Sequence, residues 1–225
     1  MTNKEFSDEF DVMLNSYSNL PFKIILDEYE KSVFLTQAQD NIVRDIYRAE
    51  SVGFEKQEFT RRALSNLVYE YNETPTSSNN ISSNSQVVNL PSNVLYILVE
   101  WADTTKNTNV EVVPITMDEY HRIKNNPFRG ATDRRILRLD SENSIVLISK
   151  NEITKYYCKY LKKPNPIILI DLPANLKVNE ESNESPCELD SSLHRDILIA
   201  AVEMAVRAKS IGLPNNNSNK KETQE

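Results

Sequence analysis

Glycine is scarce in this sequence, whose 225 residues include only Gly53, Gly130 and Gly212. Loops that cradle phosphate groups need several glycines close together, because only glycine lets the backbone approach the phosphates. Neither GxGxxG nor GxxxxGK[ST] occurs in the sequence. The scarcity of glycine therefore argues against nucleotide-binding folds of these two kinds.

Cysteine and histidine are also sparse, with two residues of each. Cys158 and Cys187 are expected to be free thiols, because a disulfide framework needs more cysteines and a secretory context. His121 and His194 lack the clustered partners that a zinc site requires. No GxSxG motif occurs, and Cys158 lies in a predicted strand, where a small residue packs well. We therefore expect no catalytic residue, no cofactor and no metal site.

Long apolar runs and an excess of basic residues are absent too. The longest apolar run, residues 94–99, is far too short to span a bilayer, and residues 1–6 do not resemble a signal peptide. The formal net charge is −7, whereas coating nucleic acid non-specifically needs a surplus of Lys and Arg. These features predict a soluble protein, made in a reducing cytoplasm and not bound to a membrane.

Apolar residues at helical spacing are present near both ends of the chain. Helices are predicted over residues 6–17, 27–48, 55–71 and 192–209, with the first one ending at 19–21. Gly53 is expected to break the chain before the third helix, and Gly212 follows the last helix in the position of a C′ glycine. Thr36 and Gln39 repeat the capping-box spacing of Asp27 and Glu30, so the second helix is expected to break near Thr36.

The middle of the chain changes to short β-branched runs, which are typical of strands. Strands are predicted at 94–101, 110–115, 134–139, 145–149, 153–161 and 166–170. A short helix at 117–125, capped by Thr116 and Glu119, interrupts them. Strands without long helices between them favour an antiparallel sheet.

The predicted class is therefore α+β: a bundle of N-terminal helices and a long C-terminal helix, with an inserted antiparallel β domain. The expected organisation is a helical part at 1–72, a flexible linker at 73–86, an antiparallel β region with one short helix at 87–172, a loop at 173–191, a helix at 192–211 that packs on the N-terminal helices, and a polar tail at 212–225.

One segment departs from the acidic balance of the chain. Six basic residues accompany a single acid, Asp133: Arg122, Lys124, Arg129, Arg134, Arg135 and Arg138. Arginine is favoured at desolvated interfaces, so the segment is either a patch for an acidic partner, namely a neighbouring subunit or DNA, or a solvated face with local salt bridges. The N-terminal helix is acidic, and opposite patches of this kind permit head-to-tail association that closes into a ring.

Several stretches of the sequence resemble one family. VPITMDEY at 113–120, NPFRG at 126–130 and RRILRL at 134–139 are similar to head-to-tail ring, or adaptor, proteins of the crAss-like bacteriophages of gut Bacteroidetes. Stretches 26–39 and 90–96 and the Cys187 to Arg195 region support the resemblance, which covers residues 25–209.

The resemblance implies a structural virion protein that forms a closed ring of about twelve copies in the portal–tail connector, which conducts the genome. It implies contacts with the portal and other neck ring proteins, transient passage of DNA, assembly in the host cytoplasm, and no cofactor. In such proteins C-terminal segments commonly reach the portal. Docking there is expected through Leu193, Ile197, Met204, Ile211 and Leu213, with a tail that is disordered by itself.

Two alternatives from other functional classes stay open at this point. One is a DNA-binding regulatory protein that uses the basic segment 122–138. The other is a hydrolase with an unrecognised carboxylate pair, because 33 acidic residues provide many accidental pairs.

Overall fold

The computed structural model describes residues 1–16, 25–49, 58–78, 81, 84–141, 144–173 and 175–211. The predicted helix end at 19–21, Gly53, Gly212 and the tail, including Leu213, lie outside these residues. Along the described chain the elements are α1 (Asn3–Ser16), α2 (Glu28–Ala49), α3 (Glu58–Ala63), β1 (Val68–Glu73), β2 (Thr76–Ser77), β3 (Ser85–Asn89), β4 (Val94–Thr104), β5 (Val110–Pro114), α4 (Met117–Ile123), β6 (Arg135–Ser141), β7 (Ser144–Ile148), β8 (Ile153–Lys162) and α5 (His194–Ile211).

The chain divides into two compact units. Unit 1 combines residues 1–66 with the chain from Pro164 onward, and unit 2 spans Leu67–Lys163. Unit 1 contains α1, α2, α3 and α5, while unit 2 contains the strands and α4. The predicted α+β class is confirmed. Residues 164–172, expected in the β region, belong to unit 1.

In unit 1, α5 contacts both α1 and α2. The apolar stripe of α1, formed by Phe6, Phe10 and Leu14, is buried. The facing stripe of α5 is fully buried at its centre: Ile197, Leu198, Ala201, Val202 and Ala205. Burial of these stripes removes apolar surface from water, which is the main favourable contribution to the stability of a helical unit.

A row of polar side chains on α2 binds the chain where it returns to unit 1. Thr36 Oγ1 accepts a hydrogen bond from the Ile167 N–H at 3.1 Å and donates to the Ile167 carbonyl at 3.3 Å. One turn away, Ser32 Oγ accepts from the Leu169 N–H at 3.1 Å. At the other end of the row, Gln39 Nε2 donates to the Asn165 carbonyl at 2.8 Å. We call Ser32, Thr36 and Gln39 the polar row.

The polar row explains two differences from the sequence-based predictions. Residues 166–170 join no sheet, because their backbone groups bond to α2 side chains and Ile168 pairs with Ser185. The expected break near Thr36 is absent, and α2 is continuous. Thr36 and Gln39 have capping-box spacing because they face the same neighbouring segment and not because a helix begins there.

The eight described strands of unit 2 form one sheet in the order β1-β8-β4-β5-β6-β7-β3-β2. The first and last strands, β1 and β8, are antiparallel neighbours, with Val68 opposite Leu161. The sheet is mixed, in contrast to the antiparallel expectation, because β5 and β6 are parallel. A parallel pair needs a crossover connection, and here α4 lies in that connection.

The two faces of the sheet carry separate apolar clusters, as the two-residue period of a strand requires. In β7, Ile145 and Leu147 belong to one cluster with Tyr156 and Cys158. Val146 and Ile148 belong to the other, which Tyr120 and Ile123 of α4 cover. Both faces of β7 are therefore buried.

The start of unit 2 differs from the sequence-based prediction. A helix was expected at 55–71, but in the described residues the helix ends at Ala63. A 3₁₀ turn at Ser65–Leu67 then leads into β1. Val68 to Glu73 pair with β8 along their whole length, and this tertiary pairing overrides the local helical spacing. The segment 73–86, expected to be a flexible linker, includes β2 and the start of β3.

Gln86 shows why a polar segment can lie in the sheet. Its side-chain amide accepts a hydrogen bond from the Ile153 N–H at 2.7 Å and donates to the Ile153 carbonyl at 3.1 Å. A buried polar side chain is tolerated when its hydrogen bonds are made. The composition of 73–86 therefore misled the prediction because the partners of its polar groups lie far along the chain.

An ion pair lies within the apolar face of the sheet that contains Tyr156. Arg138 Nη1 is 2.8 Å from Glu100 Oε1, and these side chains are 11% and 7% exposed. The Tyr156 hydroxyl donates to the other Glu100 oxygen at 2.9 Å. Arg138 Nε lies 3.0 Å from Asp140 Oδ1, but without the geometry of a hydrogen bond. Burial raises the pKa of Glu100, although Arg138 and Tyr156 act in the opposite direction.

Replacing Thr36 by Val tests the polar row. Valine matches the shape of threonine but leaves the N–H and C=O of Ile167 without their buried partner, which costs about 1–3 kcal/mol. Thr36→Ser keeps the hydroxyl and loses one methyl group, worth about 0.8 kcal/mol. Urea unfolding followed by circular dichroism at 222 nm should give a lower free energy of unfolding for Thr36→Val than for Thr36→Ser. Equal stability of Thr36→Val and the natural protein would contradict this account.

Replacing Arg138 by Met tests the buried ion pair. The variant leaves a buried carboxylate without its cation, so the free energy of unfolding should fall by about 3–5 kcal/mol at pH 7.5. Because loss of the cation raises the pKa of Glu100 further, the folded state binds a proton that the unfolded state releases, and the loss should be smaller at pH 6. The single tryptophan, Trp101, stacks on Tyr157 in this sheet, so its fluorescence reports the unfolding.

The matched control combines Arg138→Met with Glu100→Gln. This double variant has no carboxyl group at position 100 to titrate, so the difference between pH 6 and pH 7.5 should disappear. A pH dependence of the same size in both variants would assign it to another group.

Candidate subunit interface

The basic residues singled out from the sequence lie on and beside one connection. The crossover, which we define as residues 115–134, joins the parallel strands β5 and β6 and includes α4. Arg122 lies on α4, Lys124 at its C-terminal end, Arg129 in the following loop and Arg134 at the end of the crossover. All four are exposed. Tyr120 and Ile123 of α4 pack on the sheet, whereas these four basic side chains are on the exposed side of the crossover.

Local hydrogen bonds fix the shape of the crossover. Thr116 caps α4 by accepting from the Glu119 N–H at 3.2 Å, as its capping-box spacing predicts. After α4, the Asn126 side chain accepts from the N–H groups of Phe128 and Arg129, at 2.9 and 3.2 Å. The Gly130 N–H donates to the Asn126 carbonyl at 2.8 Å.

Gly130 is required by this turn. A Cβ atom at position 130 would lie 2.8 Å from the Asn126 carbonyl oxygen and 3.2 Å from that of Ile123. Both neighbours are backbone atoms: Ile123 belongs to α4, and the Asn126 N–H donates to the Ile123 carbonyl at 2.8 Å. The turn therefore accepts no larger residue without moving.

The one acid of the basic segment does not neutralise its arginines. Asp133 Oδ1 accepts from Asn151 Nδ2 at 3.0 Å, and its carbonyl accepts from Asn107 Nδ2 at 2.9 Å. Among the described residues, no carboxylate lies within ion-pair distance of the exposed cations: Arg122, Lys124, Arg129 and Arg134. From Arg122 onward the crossover thus presents cations without an ion-pair partner, whereas the first turn of α4 carries Asp118 and Glu119.

Arg135 and Arg138 occupy different environments from the other four basic residues. Arg135 is half-buried and donates from Nη1 to the Phe128 carbonyl at 3.3 Å, which ties β6 to the loop. Arg138 is committed to Glu100 inside the unit, so it offers no free guanidinium to a partner. The structure therefore places five of the six residues on or beside the crossover and sets Arg138 apart in the interior of the unit.

Phe128 belongs to this surface, although the sequence analysis did not select it as a site residue. Its side chain is 85% exposed, the highest value among the described large apolar residues that are exposed. Aromatic residues are enriched at protein interfaces relative to the rest of a protein surface. The signal was present in the NPFRG motif, where a phenylalanine stands between a turn-forming pair and an arginine.

The residues expected to dock on the portal are differently placed. Leu193 is 2% exposed and Ile197 is fully buried, so the helices of unit 1 already cover both. Met204 is half-buried. The side chain of Ile211 and all of Leu213 lie outside the described residues. On α5, Ile199 is the exposed large apolar residue, at 37%.

The remaining candidates for chemistry are embedded in the fold. Burial raises the pKa of both thiols, Cys158 and Cys187, to about 11, which keeps them protonated at neutral pH. His194 is buried with Nε2 3.1 Å from the Leu189 carbonyl, and burial lowers its pKa. Over the described ranges, no three metal-binding side chains converge. Within the same ranges, no helix combines the length and apolar character needed to cross a membrane.

Comparison with known proteins identifies the lineage. Residues 1–218 match the family of phage tail ring protein 3/4. The chain is 42% identical to Ring protein 3 of Bacteroides phage crAss001, over 93% of this chain and 97% of that protein. It is 30% identical to Ring protein 4/5 of the same phage, over 92% of this chain and 93% of that protein. The resemblance read from the sequence motifs is thus confirmed, and the chain belongs to the phage tail ring protein 3/4 family.

Proposed function

We propose that this protein forms a closed ring of identical copies in the head-to-tail connector of a tailed phage and that the genome passes through this ring. Membership of the tail ring family supports a structural role in the virion. The observation that carries the assembly step is the crossover, a fixed and exposed surface with unneutralised cations and an exposed aromatic ring. A surface of this composition is typical of a protein interface.

The charge of the chain is consistent with a conduit for DNA. The formal net charge of −7 disfavours tight binding of phosphate groups to the bulk of the protein. A ring whose channel wall is net negative would repel DNA weakly and allow it to slide. We propose the portal and other neck rings as axial neighbours and about twelve copies per ring, matching a portal of that symmetry.

The first test of this function is whether the protein occurs in virions. Mass spectrometry of purified, DNA-filled particles should detect it in multiple copies, and antibody labelling should place it at the neck. Its absence from particles that contain their other tail proteins would overturn the proposal.

Charge reversal in the crossover should prevent assembly. In particles grown with the double variant Arg129→Glu, Arg134→Glu as the only source of the protein, the ring should be missing, because like charges then face the partner. The matched control, Lys106→Glu with Lys150→Glu, changes the net charge equally at exposed positions of the same unit. Normal particles that fail only in DNA delivery would instead assign the crossover to DNA.

Removing residues 213–225 should separate folding from attachment. Leu213 is the only large apolar residue of this segment, so the truncated protein should unfold at the same urea concentration as the full chain. We expect its incorporation into particles to fall, because this segment contributes contacts to the portal that the many copies of a ring multiply. Incorporation at the natural level would contradict a docking role for the tail.

A further inference from the structure

Phe128 has the properties of an interface anchor. Its ring is 85% exposed, and the hydrogen bonds of Asn126 and the close packing of Gly130 hold its backbone in one conformation. With the backbone fixed, only the two side-chain torsions of Phe128 lose freedom on binding, which keeps the entropic cost of association small. Phenylalanine and arginine are both enriched at protein interfaces relative to the rest of the surface.

The charges beside Phe128 restrict the partner. Arg122, Lys124 and Arg129 are exposed and have no carboxylate within ion-pair distance among the residues that the structure describes. Burying the ring against a neutral surface would bring these cations close to a partner that cannot compensate them. The partner must therefore provide carboxylates around an apolar contact.

The outward face of α1 has this composition. Val12 is 71% exposed, and Glu5 and Asp8 lie on the same helical face because they precede it by seven and four positions. The helix contains one lysine and four carboxylates. Glu9 and Asp11 are paired with Arg195 and Lys31, whereas Asp8 is exposed and has no ion pair within the described ranges.

The distribution of charge between the units also favours unit 1 as the source of the partner's carboxylates. Unit 2 contains 12 basic and 11 acidic residues, whereas the residues of unit 1, 1–66 and 164–225, contain 14 basic and 22 acidic residues. The acidic surplus of the chain thus resides in unit 1. Unit 1 of one copy therefore meets less electrostatic repulsion from the nearly neutral unit 2 of a second copy than from its unit 1.

We propose that the crossover of one copy docks on the outward face of α1 of a second copy, with Phe128 against Val12 and Arg129 beside Asp8. The contact is head-to-tail, because each copy supplies a different surface to each of its two neighbours. It rests on the proposed function, since a ring repeats this contact between all its copies.

Cross-linking tests the contact directly. A chain carrying both Val12→Cys and Phe128→Cys should, on oxidation of purified particles, give a ladder of covalent multimers larger than dimers. Both positions are exposed, so neither change disturbs the core, and Cys158 and Cys187 are at least partly buried. Each single variant, and the control pair Val12→Cys with Lys106→Cys, should give no ladder. Dimers from Phe128→Cys alone would reveal a symmetric contact and overturn the proposal.

Charge exchange gives an independent test. Arg129→Glu alone and Asp8→Arg alone should each lower incorporation into particles at least tenfold, because each places like charges in contact. A chain with both changes restores the opposite-charge pair and should recover most of the incorporation. Phe128→Ala should weaken association about 30-fold, as expected for a dominant anchor. Failure of the double variant to recover would count against the pairing.

The outcomes distinguish this contact from the wider function. If the natural protein is abundant in particles but the double-cysteine chain gives no ladder there, the proposed contact is wrong and the ring function stands. If the protein is absent from particles, the ring function fails, and a ladder from concentrated purified protein would still support the contact. If Arg129→Glu is incorporated normally but lowers DNA binding, the crossover contacts DNA and the proposal is overturned.

Discussion

Three polar side chains of α2, Ser32, Thr36 and Gln39, bind the backbone of the chain as it returns to unit 1. They satisfy backbone groups of Asn165 to Leu169 that no sheet satisfies. The partners are 126 to 137 positions apart in sequence, so these bonds join the two halves of the unit. Unpaired backbone groups are costly when buried, and this row therefore decides where the returning segment can lie. The chain then continues to α5, whose apolar stripe packs on α1 and α2.

Because the chain returns to unit 1 after Lys163, unit 2 is an insertion in unit 1. The first and last residues of such an insertion must lie close together. Unit 2 meets this requirement because its first and last strands are paired. Within the sheet, the parallel pairing of β5 and β6 forces the chain to leave the sheet and come back. That detour is the crossover, and it explains why basic residues and Phe128 are held outside a well-packed core. The candidate interface is thus a consequence of topology as much as of composition.

The sequence identified the basic segment as a set but not the individual roles of its residues. Alternation in β6 shows that Arg138 points away from Leu137 and Leu139, yet it does not show that both faces of the sheet are covered. Only the packing of Glu100 and Tyr156 beside Arg138 makes it an internal residue. Phe128 was missed for the converse reason. An isolated apolar residue in a loop can pack on a core or remain exposed to solvent. The turn made by Asn126 keeps Phe128 exposed.

Local sequence by itself determined the helices with regular apolar stripes, five strands with β-branched runs, the cap of α4 by Thr116, and the family. These features depend on neighbouring residues, which a sequence displays directly. Tertiary structure alone decided that residues 68–71 form a strand, that polar residues 85 and 86 lie in the sheet, that two strands are parallel, and that residues 165–169 bind to α2. Each of these depends on a hydrogen-bonding partner far away in the chain. A backbone N–H or C=O group can form its hydrogen bond with any of several partners, so the local sequence does not specify which one it binds. The folded structure shows which partner lies within reach.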